Sequence, residues 1–131
     1  MSEQNMQEMY YQIQYLDQKS KEIQQNLQQI DQQLGEFTVT KNALGQIKDI
    51  KEGTEILVPV SPGIFLRATL QDNQKVVVNV GSGVTVEKPV ENAKDMISEQ
   101  RDELEKIQSE MVEQLKNINS KIQDFEKKIR G

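Results

Sequence analysis

Between positions 5 and 51 a row of apolar residues falls at Met6, Met9, Ile13, Leu16, Ile23, Leu27, Ile30, Leu34, Phe37 and Leu44, with Ser20 and Lys41 in the two remaining slots. The steps alternate three and four. Sustained over about six heptads, that alternation is the signature of a coiled-coil seam, because it keeps one stripe of a supercoiled helix against a partner. The other faces are crowded with glutamine, a good helix former without charge. The heptad runs straight through the glutamines, which argues against a low-complexity reading. Gly35 and the run Thr38-Val39-Thr40 should weaken this helix. It should end near Lys51, with Gly53 as its stop. At 1.5 Å per residue it reaches about 70 Å.

The other end of the chain repeats the pattern. Pro89 suits a first helical position and Glu91 a first turn. The seam reads Val90, Ala93, Ile97, Gln100, Leu104, Ile107, Met111, Leu115, Ile118, Ile122, Phe125 and Ile129. Two four-residue steps in succession, Ile107-Met111-Leu115, mark a stutter that locally unwinds the supercoil. Lys127, Lys128 and Arg130 suit the negative end of the helix dipole. Two helices of similar length joined by a compact block predict an antiparallel hairpin. Its seams then match Met9 with Ile129, Ile13 with Phe125, Leu16 with Ile122, Ile23 with Leu115 and Leu27 with Met111. Both chain ends meet at one tip.

Between the helices the periodicity changes. The runs 55–60, 64–70, 75–80 and 84–87 read as strands, separated by Ser61-Pro62-Gly63, Gln71-Asp72-Asn73-Gln74 and Gly81-Ser82-Gly83. This predicts two β-hairpins in series. An isolated hairpin is marginal in water and so short a block cannot close a barrel. The strands are apolar on both faces, which calls for cover on both. Open edges invite another chain. The block is therefore expected to be an oligomerisation module, carried by Ile56, Val58, Ile64, Phe65, Leu66, Val76, Val77, Val78 and Val80. The expected fold class is α+β: a long antiparallel coiled-coil hairpin, with two β-hairpins at the helix-connecting end that assemble into an inter-subunit β-barrel. One domain, 1–131, divides into 1–52 (first helix), 53–88 (hairpins) and 89–131 (second helix).

Composition narrows the chemistry. The chain has 131 residues, no cysteine, histidine or tryptophan, a net charge of −5 and 35% hydrophobic residues. Without Cys and His, the usual zinc ligands and the commonest general base are missing. No phosphate-binding loop occurs. The carboxylates are scattered along helix faces, so no metal, no cofactor and no catalytic residue is expected, and the chain should not be an enzyme. An acidic chain without a basic stripe is a poor nucleic-acid binder. No apolar run spans a membrane. A polar start without a signal-peptide core and the absence of cysteine fit a cytoplasmic location.

The stretches EILVPVSPGIFLRATL (55–70) and VVVNVGSGVTVEKPVENA (76–93), set between two heptad helices, resemble the alpha class of the prefoldin family. The resemblance covers essentially the whole chain, and its shortness points to the archaeal form. A glutamine-rich first helix departs from the charge expected there. The resemblance implies a hexamer of two alpha and four prefoldin beta-type subunits on a double β-barrel. It also implies an ATP-independent holdase that captures unfolded client proteins at the coiled-coil tips and passes them to a group II chaperonin. A filament-forming relative shares the alpha-class plan, and a passive coiled-coil scaffold is the other alternative.

The candidate client-binding residues at the tip are Met6, Met9, Tyr10, Tyr11, Ile13, Ile122, Phe125 and Ile129. For Ile13 and Phe125, plain seam packing is the preferred reading. For Met6, Met9, Tyr10, Tyr11 and Ile129, exposure at a fraying helix end and the adaptability of methionine favour a binding role. The polar seam residues Ser20, Lys41 and Gln100 are candidates for fixing register, with Lys41 snorkelling to water. Arg67 is either a partner for a carboxylate across an interface or a solvent-facing strand residue.

Overall fold

The computed structural model describes residues 2–131. Met1, the first residue of the expected segment 1–52, lies outside them. The order of elements is helix α1 (Glu3–Ile47), strands β1 (Glu55–Ser61), β2 (Ile64–Thr69), β3 (Lys75–Gly81) and β4 (Val84–Pro89), and helix α2 (Val90–Arg130). The fold is α+β, with two long helices and two β-hairpins between them. The chain divides into two units. One runs to Gly35 and resumes at Asp102–Gly131. The other is Glu36–Arg101.

In the first unit the two helical segments run antiparallel, with Met9 beside Phe125 and Asp31 beside Gln108. Of the expected seam, Ser20, Ile23 and Ile30 are buried, and Met6, Met9, Ile13, Leu16, Leu27 and Leu34 are half-buried. Here the heptad reading and the burial agree position by position. Ser20 is the buried polar residue, and its hydroxyl accepts a hydrogen bond from Gln24 Nε2 at 3.2 Å. That satisfies locally a group whose burial would otherwise cost free energy.

On α2 the seam takes a different path. Gln100 and Ile107 are exposed, whereas Arg101 and Gln108 are half-buried together with Ile97, Leu104, Met111, Leu115, Ile118, Ile122, Phe125 and Ile129. The paired four-residue steps fall at Ala93-Ile97-Arg101 instead of at Ile107-Met111-Leu115. The hydrophobic pattern favours Ile107, but Gln108 Nε2 donates to Asp31 Oδ1 at 2.7 Å. A charge-assisted hydrogen bond across the seam holds the amide inward, and Ile107 is left 45% exposed.

In the second unit, α1 passes through Thr38-Val39-Thr40 without a break and ends at Ile47, four residues before the expected Lys51. Two tight bonds, Asp49 N–H to the Gln46 carbonyl at 3.0 Å and Ile50 N–H to the Ile47 carbonyl at 3.1 Å, close the helix. Asn73 then reaches back, its Nδ2 donating to the Ile50 carbonyl at 3.0 Å. Gly53 is therefore not the helix stop. It leads into β1 at φ +86°, a conformation natural to glycine, and donates its N–H to the Leu70 carbonyl at 2.8 Å.

The strands form two separate two-stranded antiparallel sheets. The second hairpin repeats the register of the first twenty residues later: Glu55 pairs with Thr69, and Lys75 with Pro89. Each shows a register shift just before its turn, between Pro59 and Ser61 and between Asn79 and Gly81. The two-residue connections Pro62-Gly63 and Ser82-Gly83 follow. In the second, both residues are left-handed, at φ 51° and 75°, which matches the twist of a tight hairpin. The Asp72 carboxylate accepts from the N–H groups of Gln74 and Lys75, at 2.8 and 3.1 Å, and so shapes the link between the hairpins. Pro89 closes β4 and does not open the helix. Its missing N–H is tolerated at a strand end, and the next residue, Val90, donates to the Gln74 carbonyl at 2.8 Å. Val90 is fully buried, with Ala93 buried beside it one turn on.

Candidate functional site

Two regions carry the residues singled out from the sequence. The first is the end of the helix pair in the first unit. Met6, Met9 and Ile13 on α1, and Ile122, Phe125 and Ile129 on α2, lie half-buried along the seam. Tyr10 and Tyr11 stand off it and are exposed. A cleft of about 540 Å³ opens beside Met9 and Phe125 and is lined also by Asn5, Glu8, Tyr11 and Gln12. It combines a thioether, two aromatic rings and short polar groups without a fixed charge pair. That is a surface able to accept apolar segments of varied shape, not one specified for a single ligand. Tyr15, not singled out from the sequence, continues the exposed tyrosines along α1. It is exposed one turn beyond Tyr11, and the Lys19 ammonium lies 5.8 Å from its ring centroid, at cation–π distance. Its i,i+4 spacing from Tyr11 was the available signal.

The second region is the strand block. Of the expected oligomerisation residues, Val58, Ile64, Phe65, Leu66, Val77 and Val80 are exposed, and Ile56, Val76 and Val78 are half-buried. Leu57, Val60 and Val84, not singled out from the sequence, are exposed as well. One face of the first hairpin carries Leu57 opposite Arg67 and Pro59 opposite Phe65. The other carries Val58 opposite Leu66. Both faces thus expose apolar side chains, with the charged pair Glu55 and Arg67 on the first. Exposed apolar side chains grouped in this way make the strand block a candidate interaction surface. Arg67 pairs within its own hairpin, its Nε 3.6 Å from Glu55 Oε1, and stays largely exposed.

Charge is organised where α2 begins. Lys48 Nζ donates to Glu91 Oε1, and Lys94 Nζ lies 4.0 Å from the same oxygen. The Lys48 hydrogen bond, then its charge and that of Lys94, hold the Glu91 carboxyl below its ordinary value. The pair fixes the turn after α1 to the first turn of α2. Among the described residues no cluster of acidic, Cys or His side chains is arranged to hold a metal, and no helix is long and apolar enough to cross a membrane.

Two long paired helices and two β-hairpins with exposed apolar side chains define the class: a coiled-coil hairpin that carries two small sheets. Comparison with known proteins identifies the family. The prefoldin subunit model matches residues 3–131, and the chain belongs to that family, a non-enzymatic chaperone family. It is 30% identical over 115 residues to a prefoldin subunit alpha from Thermofilum pendens, covering 88% of this chain and 89% of that one. It is also 30% identical over 125 residues to a prefoldin subunit alpha from Pyrococcus horikoshii, covering 95% and 80%. Its relatives thus place it with the alpha subunits. The fold is similar to that of filamentous prefoldin from Methanocaldococcus jannaschii, with a TM-score of 0.81 at 19% identity over 91% of this chain and 98% of that one.

Proposed function

We propose that this chain is the alpha subunit of a cytoplasmic hexamer of two alpha and four beta-type subunits, and that it works as a single domain. Ile56, Val58, Ile64, Phe65, Leu66, Val76, Val77, Val78 and Val80 join strands of neighbouring subunits in an inter-subunit β-barrel. The helix ends, through Met6, Met9, Tyr10, Tyr11, Ile13, Ile122, Phe125 and Ile129, hold unfolded clients and release them to a group II chaperonin. The observation that carries the capture step is the Met9–Phe125 cleft with exposed tyrosines beside it. Each such contact is weak. Several copies around one client multiply weak contacts into useful avidity. No nucleotide is needed, because holding and release follow competition for apolar surface. The test is light scattering of a client diluted from denaturant in the presence of the assembled complex. Equal protection with and without ATP and magnesium is expected, and protection that requires ATP would refute the reading.

A second reading, a filament built from this chain, draws on two observations. The bare strand faces can be covered by further copies, and the fold is similar to a protein described as filamentous. Subunit composition separates the two.

A further inference from the structure

A cleft in the second unit differs in sign from the composition of the chain. It holds about 580 Å³ and lies along the last turns of α1 and the first turns of α2. Half-buried Phe37 and Ile97 give it apolar walls. Lys41 and Lys94 bring two ammonium groups to it, and the lining holds one carboxylate, Asp49; Arg101 also lines it but is engaged elsewhere. The chain as a whole carries −5.

Lys41 occupies a seam position of α1 where the neighbouring seam residues, Phe37 and Leu44, are apolar. A lysine in such a position sacrifices packing, and no described carboxylate forms an ion pair with it. One turn on, Gly45 has no side chain, and a Cβ there would meet Lys94 Nζ at 3.7 Å. The open space at Gly45 is what lets the Lys94 ammonium lie against α1. Lys94 shares Glu91 with Lys48, so one carboxylate serves two ammonium groups and positive charge remains in excess.

We infer that this cleft docks an extended acidic segment of a partner protein, with carboxylates on Lys41 and Lys94 and an aliphatic side chain against Phe37 and Ile97. Charge complementarity selects the acidic partner. The apolar walls select a peptide over a free inorganic anion. The site is separate from the client cleft at Met9 and Phe125, and no residue is shared between them.

The probe is a short fluorescein-labelled peptide of alternating glutamate and leucine, titrated by anisotropy into the assembled complex and into the chain alone. Saturable binding that weakens with added salt is expected, because partly exposed charge pairs are screened. Combining Lys41→Gln with Lys94→Gln should lower affinity by roughly tenfold. Lys41→Arg should bind normally, which guards against a folding defect. Gly45→Leu should abolish binding by filling the cleft while keeping every charge and a good helix former. Equal affinity for the same peptide carrying glutamine, unimpaired binding by Gly45→Leu, or equally good competition by a single-stranded oligonucleotide of matched charge would each overturn the inference. Client holding, measured in parallel, should be unchanged in all these variants, so failure here is distinguishable from failure of tip capture.

Discussion

Val77 is the most exposed valine of the four strands, at 67%, and sits in mid-β3 opposite Glu87. In an isolated chain, Val77→Asp touches little, and a change at so exposed a site shifts stability by about 0.5 kcal/mol or less. Assembly through the hairpins changes that. Covering the remaining two-thirds of the side chain contributes about 1–2 kcal/mol, from roughly 1.5–3 for a fully buried valine. Burying the aspartate carboxylate costs several kcal/mol more. Together these amount to about 4–6 kcal/mol, an association constant lowered by about 10³–10⁴. The assay is size-exclusion chromatography with light scattering on the chain co-expressed with a beta-type subunit, with circular dichroism to show that the helices persist. Val39→Asp is the matched control, since Val39 is 69% exposed but lies on α1. The variant at Val77 should fail to assemble while the control assembles. Normal assembly of Val77→Asp, or equal loss in both, would refute the assignment of the interface to the strands.

Three further perturbations have expected outcomes. Removing residues 1–10 and 124–131 should leave oligomer mass unchanged, because most of each helix stays paired. The same truncation should remove much of the protection of a client in the dilution assay. Ile23→Ala should cost about 2–5 kcal/mol in chemical unfolding, as a buried seam residue, whereas Ile107→Ala should cost well under half as much. Equal costs would mean that Ile107 and not Gln108 occupies the seam. The carboxyl of Glu91 has a lowered pKa, so its contribution to stability is full above the ordinary value of 4.5 and is lost as pH falls through the lowered value. Thermal melts taken downward from neutral pH should show that Glu91→Gln lacks this part of the acid decline.

Much of the architecture was legible because the heptad and the short apolar runs bounded by turn residues are covalent patterns, and burial follows the heptad along α1 from Met6 to Leu44. What escaped depended on tertiary hydrogen bonds. Hydrophobicity ranks Ile107 above Gln108, but only the folded chain brings Asp31 within reach of the amide. Helix propensity carries α1 toward Lys51, but Asn73 ties down the Ile50 carbonyl from a loop distant in sequence. Pro89 fits either a strand end or a first helical turn, and the Val90–Gln74 bond decides between them. The partner of Arg67 was undetermined until β1 and β2 paired and brought Glu55 to it. At the helix end, the seam residues were legible and Tyr15 was not, because a seam argument is blind to the outer face.

The proposed assembly requires that beta-type subunits cover the strand faces of this chain in a fixed ratio. Native mass spectrometry of the complex purified from its own cells tests that directly. The predicted result is one species containing two copies of the 15.1 kDa chain and four copies of a second, beta-type subunit. A ladder of masses spaced by this chain alone, with no second subunit, would contradict it.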